Sequence, residues 1–302
     1  MDKKYERRKS KVPLKEGYTL MHEHLTIDLS SVKNDTDCIL DCYEETVKEL
    51  NHLYQLGVRN IVDVTNIGMG RNTEYADKIE RNTGIHIVRS TGFYKEPFFP
   101  EVVYNKTIEE LSKLMEHEIE NGIDGTSVKA EMIGEIGTSE DKMEPAEQKV
   151  FEAAVRAGKK TGKPIYTHTT LGTFAKEQVE FLLERGIKPE KIVIGHIDLA
   201  GNYKYIEEVL KKGVFVGFDT VGKNNYFPDK SRVQYLIELE KIGLLKQVVL
   251  SMDLTRKSHL KFKGGIGYTY LFETFLPMLR EAGMKEESIR QMLIYNPMKI
   301  LE

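Results

Sequence analysis

A closed (β/α)₈ barrel is the fold class that this 302-residue sequence predicts, and three observations lead there. Short β-rich segments alternate with longer amphipathic ones along the chain. No linker or composition break interrupts the rhythm. No glycine-rich G-x-G-x-x-G turn follows the first strand. The alternation argues for parallel βαβ units, and eight uninterrupted units fit one barrel of ~250 residues. The missing glycine turn disfavours the runner-up, a doubly wound open sheet; Gly264-Gly265-Ile266-Gly267 comes too late and does not match.

The expected strands cover residues 18–25, 60–66, 86–94, 127–137, 164–170, 192–198, 214–220 and 248–254. Helical patterns between them include 41–56, 108–121, 147–161, 173–185, 205–211 and 231–243. Gly57, Gly162, Gly186, Gly213 and Gly243 mark helix stops, where the chain must turn into the next strand. Residues 1–16 read as a polar surface extension and 17–302 as a single barrel.

The 44 basic and 47 acidic residues leave a formal charge of −3, so no global field draws the chain to nucleic acid or membrane. No apolar run approaches the ~20 residues needed to cross a bilayer. Residues 1–15 are basic and polar and lack the apolar core of a secretory signal, so a cytoplasmic location is expected. Cys38 and Cys42 stand four apart, a spacing that fits one face of an expected helix; they are too few for a disulfide framework and read as small buried hydrophobes.

The chemistry gathers at strand ends. The first strand closes on Met21-His22-Glu23-His24-Leu25. Strand alternation puts His22 and His24 on one face and Glu23 on the other, so the two imidazoles can chelate one ion. His168 sits near the end of strand five, His196 at the end of strand six, Asp253 at the end of strand eight and Glu135 on strand four. In a barrel the C-terminal strand ends converge on the opening that carries the active site. Four histidines and two carboxylates there are costly unless something binds them, and two divalent ions would satisfy all six. His52 and His117 read as solvated helix positions, and His86 as lying at the far end of strand three. His259, in the loop after strand eight, is a candidate to touch substrate.

These residues, in this order, resemble the phosphotriesterase family of the amidohydrolase superfamily. The resemblance rests on Gly17-Tyr18-Thr19-Leu20-Met21-His22-Glu23-His24, Gly134-Glu135-Ile136-Gly137-Thr138, Thr167-His168-Thr169, Gly195-His196 and Ser251-Met252-Asp253. It extends through Asp124-Gly125-Thr126, Phe218-Asp219-Thr220-Val221-Gly222-Lys223 and Arg256-Lys257-Ser258-His259-Leu260, from about residue 17 to the C-terminus. It implies a binuclear site holding two divalent ions, zinc first and manganese second. His22, His24 and Asp253 would hold the buried ion, and His168 and His196 the exposed one. A bridging carboxylate and hydroxide would join the two. The bridge would be Glu135 or a carboxylated Lys129; strand parity does not separate them, but the resemblance favours Glu135. Lys129 lies six residues earlier, ~20 Å along a strand.

Two cations sharing one water lower its pKa toward neutrality, and Asp253 is placed to accept and return a proton. Loops after strands seven and eight of such barrels often cradle phosphate. Here they hold Lys223-Asn224-Asn225, then Arg256-Lys257, Lys261, Lys263 and a glycine-rich helix entry, a candidate anion site. A solvated basic loop is the plainer alternative. Arg71 and Tyr94-Lys95 are also expected to face the opening. The preferred substrate class is a small phosphorylated sugar lactone. The alternatives are esterase, phosphoesterase or amidohydrolase chemistry on another small molecule, and a non-catalytic metal-stabilised barrel. Phe98 and Phe99, between Pro97 and Pro100, either line a pocket or meet a second subunit in a homodimer, with neither reading favoured.

Overall fold

A computed structural model of the chain describes residues 14–302; most of the polar extension expected over residues 1–16 therefore lies outside the described residues. Eight parallel strands form the barrel wall: β1 Tyr18–Glu23, β2 Val58–Asp63, β3 His86–Thr91, β4 Ala130–Thr138, β5 Ile165–Thr169, β6 Ile192–Ile194, β7 Phe215–Phe218 and β8 Val248–Leu250. They pair in chain order. The barrel is nearly closed. At the β8/β1 seam, His22 N donates to Ser251 Oγ at 3.0 Å and Asp253 N donates to His22 O at 3.3 Å.

The connecting helices are α1 Tyr43–Gln55, α2 Thr73–Thr83, α3 Ile108–Glu120, α4 Pro145–Thr161, α5 Ala175–Glu184, α6 Tyr203–Leu210 and α7 Asp229–Lys241. Local chemistry explains their ends. Asn72 caps α2 by accepting from Tyr75 N, and Thr107 with Glu110 forms a capping box on α3. Gly162, at φ 75°, stops α4 in a conformation that side chains with a Cβ resist. Helical turns from Leu271 follow the glycine-rich entry as expected, whereas α2 and the turns between Glu286 and Leu301 lie beyond the patterns read from the sequence. Cys38 lies in a 3₁₀ turn before α1, and Cys42 is that helix's N-terminal flank. The two therefore do not share a helix, and both thiols are free.

Inside the barrel, Met21, Val62, Val88, Met132, Phe215 and Val249 form a fully buried apolar layer below the site, and Leu14, Ile300 and Leu301 pack against it. Lys15 is tied to the wall, its N donating to Asn60 Oδ1 and its Nζ to Gly84 O, both at 2.8 Å. Several strands end earlier than expected. Predicted strand 192–198 stops at Ile194 because His196 adopts φ 57° and a 3₁₀ turn follows. Predicted strand 248–254 stops at Leu250, with Asp253 at φ 53°. Predicted strand 127–137 begins only at Ala130, because a turn bonding Ile123 N to Val128 O occupies the preceding residues. Among the described residues no helix is long and apolar enough to cross a membrane.

Candidate metal centre

The β1 and β4 ladders each break register where the site is built, between Leu20 and Glu23 and between Ile133 and Ile136. The breaks change which residues face inward. Met21 and Met132 fill the inner layer, yet His22 and Glu135, of opposite parity to them, also face inward. Such irregularities re-aim side chains at the rims of barrels. Gly134 permits the second break: at φ 146°, a Cβ there would lie 2.4 Å from Tyr166 O.

Glu23 faces away from the histidine pair, as alternation predicts, and fastens the seam. Its carboxylate accepts from Ser251 Oγ at 2.9 Å, Met252 N at 2.8 Å and Leu254 N at 3.3 Å. Burial raises its pKa to about 7 although these three donors pull the other way.

His24, Glu135, His168, His196 and Asp253 come together on the floor of a cavity of about 230 Å³, and His22 lies fully buried against Glu135 and Asp253 beneath it. His24 Nε2 lies 3.4 Å from Glu135 Oε1 and 3.3 Å from Asp253 Oδ1. His22 Nε2 is 3.5 Å from Glu135 Oε2 and 3.6 Å from Asp253 Oδ1. His196 Nε2 is 3.4 Å from Glu135 Oε2, and His168 Nδ1 is 3.1 Å from the same oxygen. Most of these separations are long for hydrogen bonds, and buried His22 Nε2 and His24 Nε2 have no hydrogen-bond partner. Orphaned imidazole nitrogens of this kind are costly. The same separations match the edges of a tetrahedron around an ion bonded at 2.0–2.1 Å, roughly 3.3 Å. The donor set of nitrogens and carboxylate oxygens therefore fits divalent ions such as zinc or manganese.

Electrostatics agree. Burial opposes charge on every group. Even so, His22, with help from His168 and His196, holds the Glu135 carboxyl well below the usual range. The neighbouring Glu135 and Asp219 carboxylates overcome burial at His22 and push it up to about 10. His168, for which burial wins, falls to about 4. The buried carboxylates thus favour positive charge beside them, whether protonated imidazole or bound cation.

Asp219, at the end of β7, carried no assigned role in the sequence reading. Its Oδ1 accepts from His196 N and pairs with His196 Nδ1, both at 2.8 Å, while its Oδ2 lies 3.4 Å from His22 Nδ1. The readable signal was parity, since Phe215, Gly217 and Asp219 alternate on one face. Thr65 does a similar job for His24, its Oγ1 2.8 Å from Nδ1. Lys129 is exposed, just before β4, and does not reach the floor.

The expected substrate contacts divide. Tyr94, Lys223 and Arg256 line the cavity, together with Lys33 and Lys95. The Tyr94 hydroxyl is 3.4 Å from both His168 ring nitrogens. Lys223 Nζ forms an ion pair with Asp253 Oδ2. Burial would raise Asp253, but Lys223 first, then His24, His196 and His22, hold its carboxyl below the usual range. Arg256 is partly committed to Asp35 at 2.6 Å.

Arg71 and Lys261 do not reach the opening. The Arg71 guanidinium is drawn into a nearly buried pair with Glu118 at 2.6 Å and a second pair with the exposed Asp124 at 2.7 Å. Lys261 bonds Glu273 at 2.7 Å and borders a different surface cleft. His259 does not line the cavity; its Nδ1 accepts from Thr255 N at 3.2 Å. Lys257 pairs with Asp41 at 2.9 Å. The basic run after β8 is thus largely answered by nearby carboxylates, which corrects its reading as one anion cradle.

Comparison with known proteins agrees with this geometry. The chain is 48% identical to the phosphotriesterase homology protein of Escherichia coli K12, over 95% of this chain and 98% of that one. A crystal structure of that E. coli protein, with phosphate in its active site, superposes with a TM-score of 0.93. An aryldialkylphosphatase of Saccharolobus solfataricus is 33% identical over 94% of each chain. A phospho-furanose lactonase of Mycoplasmopsis synoviae is 31% identical over 94% of this chain and 87% of its own. With the phosphotriesterase family model matching residues 9–301, this chain belongs to the phosphotriesterase family.

Proposed function

We propose that the chain is a binuclear metal-dependent hydrolase acting on small lactones, with phosphorylated sugar lactones as the preferred class. The observation that carries this reading is the convergence of four imidazoles and two carboxylates, with orphaned nitrogens, at the foot of a small cavity. His22, His24 and Asp253 would hold one ion, His168 and His196 the other, and Glu135 would join them. Zinc is the first candidate and manganese the second. When bound, such ions supply a water acidic enough to act at neutral pH and polarise a carbonyl.

The chain's own residues do the rest. Asp253 is the proton acceptor, and later donor to the leaving alkoxide; its ion pair with Lys223 keeps it ionised and aimed. Tyr94 stands against His168 and limits the space beside it. Lys33, Lys95 and Arg256 give the rim its positive charge, suited to an anionic substituent. The lactonase relative from M. synoviae supports a phosphorylated furanose lactone.

A second reading, hydrolysis of a phosphoester, is favoured by the aryldialkylphosphatase relative and by the phosphate in the E. coli neighbour. Metal-loaded enzyme should be assayed against phosphorylated and plain sugar lactones, carboxylic esters, phosphoesters and amides. Faster acid release from phosphorylated lactones is expected. No lactone turnover alongside efficient phosphoester cleavage would replace the first reading with the second.

A further inference from the structure

We infer that Tyr166 is a positioning residue for the metal centre, acting through Asp219 on His196 and His22. The inference rests on the reading of the site as a metal centre. Tyr166 is fully buried on β5, its ring packed in the apolar layer with Met21, Val62, Met132 and Phe215. A phenylalanine would fill such a layer as well, so packing alone does not require the hydroxyl. A phenol there is tolerated only when its O–H finds a partner. The partner is Asp219 Oδ2, at 2.6 Å.

That bond fixes a carboxylate with several duties. Asp219 Oδ1 receives the backbone N–H of His196 and faces its Nδ1, so one oxygen holds both the main chain and the ring. His196 needs holding, because its φ of 57° is disfavoured for a residue with a Cβ. The ring's other nitrogen, Nε2, is thereby turned toward Glu135. Asp219 Oδ2, shared with Tyr166, also stands 3.4 Å from His22 Nδ1. One carboxylate thus bears on an imidazole from each of the two candidate ion sites. Outer partners of this kind set the ring orientation and basicity of metal ligands.

The backbone makes room for the pair. A Cβ on Gly217 would fall 2.2 Å from Asp219 Oδ2 and 2.5 Å from the Tyr166 hydroxyl; one on Gly195 would fall 3.0 Å from the Tyr166 ring. Without the hydroxyl, Asp219 Oδ2 loses its strongest donor and the carboxylate is free to rotate toward His22.

The test compares wild type, Y166F and, as a packing control in the same layer, F215L. Zinc affinity is measured by chelator competition, ligand geometry by the visible spectrum of the cobalt-loaded protein, and folding by thermal melting. Y166F should melt close to wild type, bind zinc about 10–100-fold more weakly and show a shifted cobalt spectrum. F215L should melt lower and keep wild-type zinc affinity. Wild-type affinity and spectrum in Y166F would overturn the inference while leaving the metal reading intact. Equal weakening in F215L would also overturn it, since looseness of the layer would then be the cause. Failure of wild type itself to bind zinc, cobalt or manganese would instead sink the metal reading.

Discussion

On the cavity floor, His22, His24, Glu135, His168, His196 and Asp253 stand on or just beyond strands hydrogen-bonded into the barrel wall. At the rim, Lys33, Lys95 and Arg256 extend from connecting segments, and Arg256 is already shared with Asp35. Floor side chains are buried apart from the edge of His168; Asp219 and Thr65 orient His22, His24 and His196, and His196 and Asp253 are held in a left-handed backbone conformation. Rim side chains are half-buried or exposed. On the proposed reading, chemistry sits where geometry is most constrained, and substrate choice where it is least so.

Emptying the floor should have the largest effect. Chelator treatment is expected to abolish turnover, and zinc or manganese to restore it. Loss of thermal stability with no catalytic activity before or after would identify a metal-stabilised scaffold instead. D253N comes next: turnover should fall about 10²–10⁴-fold, the usual contribution of a general acid–base group, while metal content measured on the same sample stays largely intact. A near-normal kcat would refute the proton-transfer role.

Arg71 sharpens the contrast from outside the site. R71M should leave KM unchanged and lower folding stability by about 3 kcal/mol, because it strands the nearly buried Glu118 carboxylate. Urea unfolding reads the second effect, and a raised KM with unchanged stability would return Arg71 to the substrate. At the rim, K95M and R256M should each raise KM for a phosphorylated lactone about tenfold, the scale of one hydrogen bond to a charged group, and leave a plain lactone unaffected. Equal effects on both substrates would dismiss the anion subsite.

The last effect concerns pH and not turnover. Burial, followed by Lys223, lowers His259 from 6.5 to about 4. Between these values the unfolded chain binds the proton that the folded chain refuses, so stability falls as pH drops from 6.5 toward 4. His168 contributes with the same sign over that window, so H259Q should make the stability profile shallower there without flattening it; an unchanged slope would show that His259 contributes nothing.

The floor was legible because strand-end histidines and carboxylates recur at the βα spacing, and parallel strands bring their C-terminal ends together. The barrel order and most helices followed from the same periodicity. What escaped was context. The parity breaks beside His22 and Glu135 depend on ladder register, and only Gly134 hints at them. Asp219 looked like any polar strand end until Tyr166 and His196 closed around it. Arg71 and Lys261 were misplaced because a cation's sequence position does not disclose which carboxylate claims it. Glu118 and Asp124 lie 47 and 53 residues from Arg71.

The three bonds that Glu23 receives from residues 251–254 span about 228 positions of chain. During synthesis, the histidine pair at residues 22 and 24 emerges long before Asp253 and the donors that anchor Glu23. A nascent chain still lacking the eighth strand holds an incomplete ligand set beside an unfastened edge. On the proposed reading, the full ligand set for both ions therefore assembles only after the eighth strand has been made.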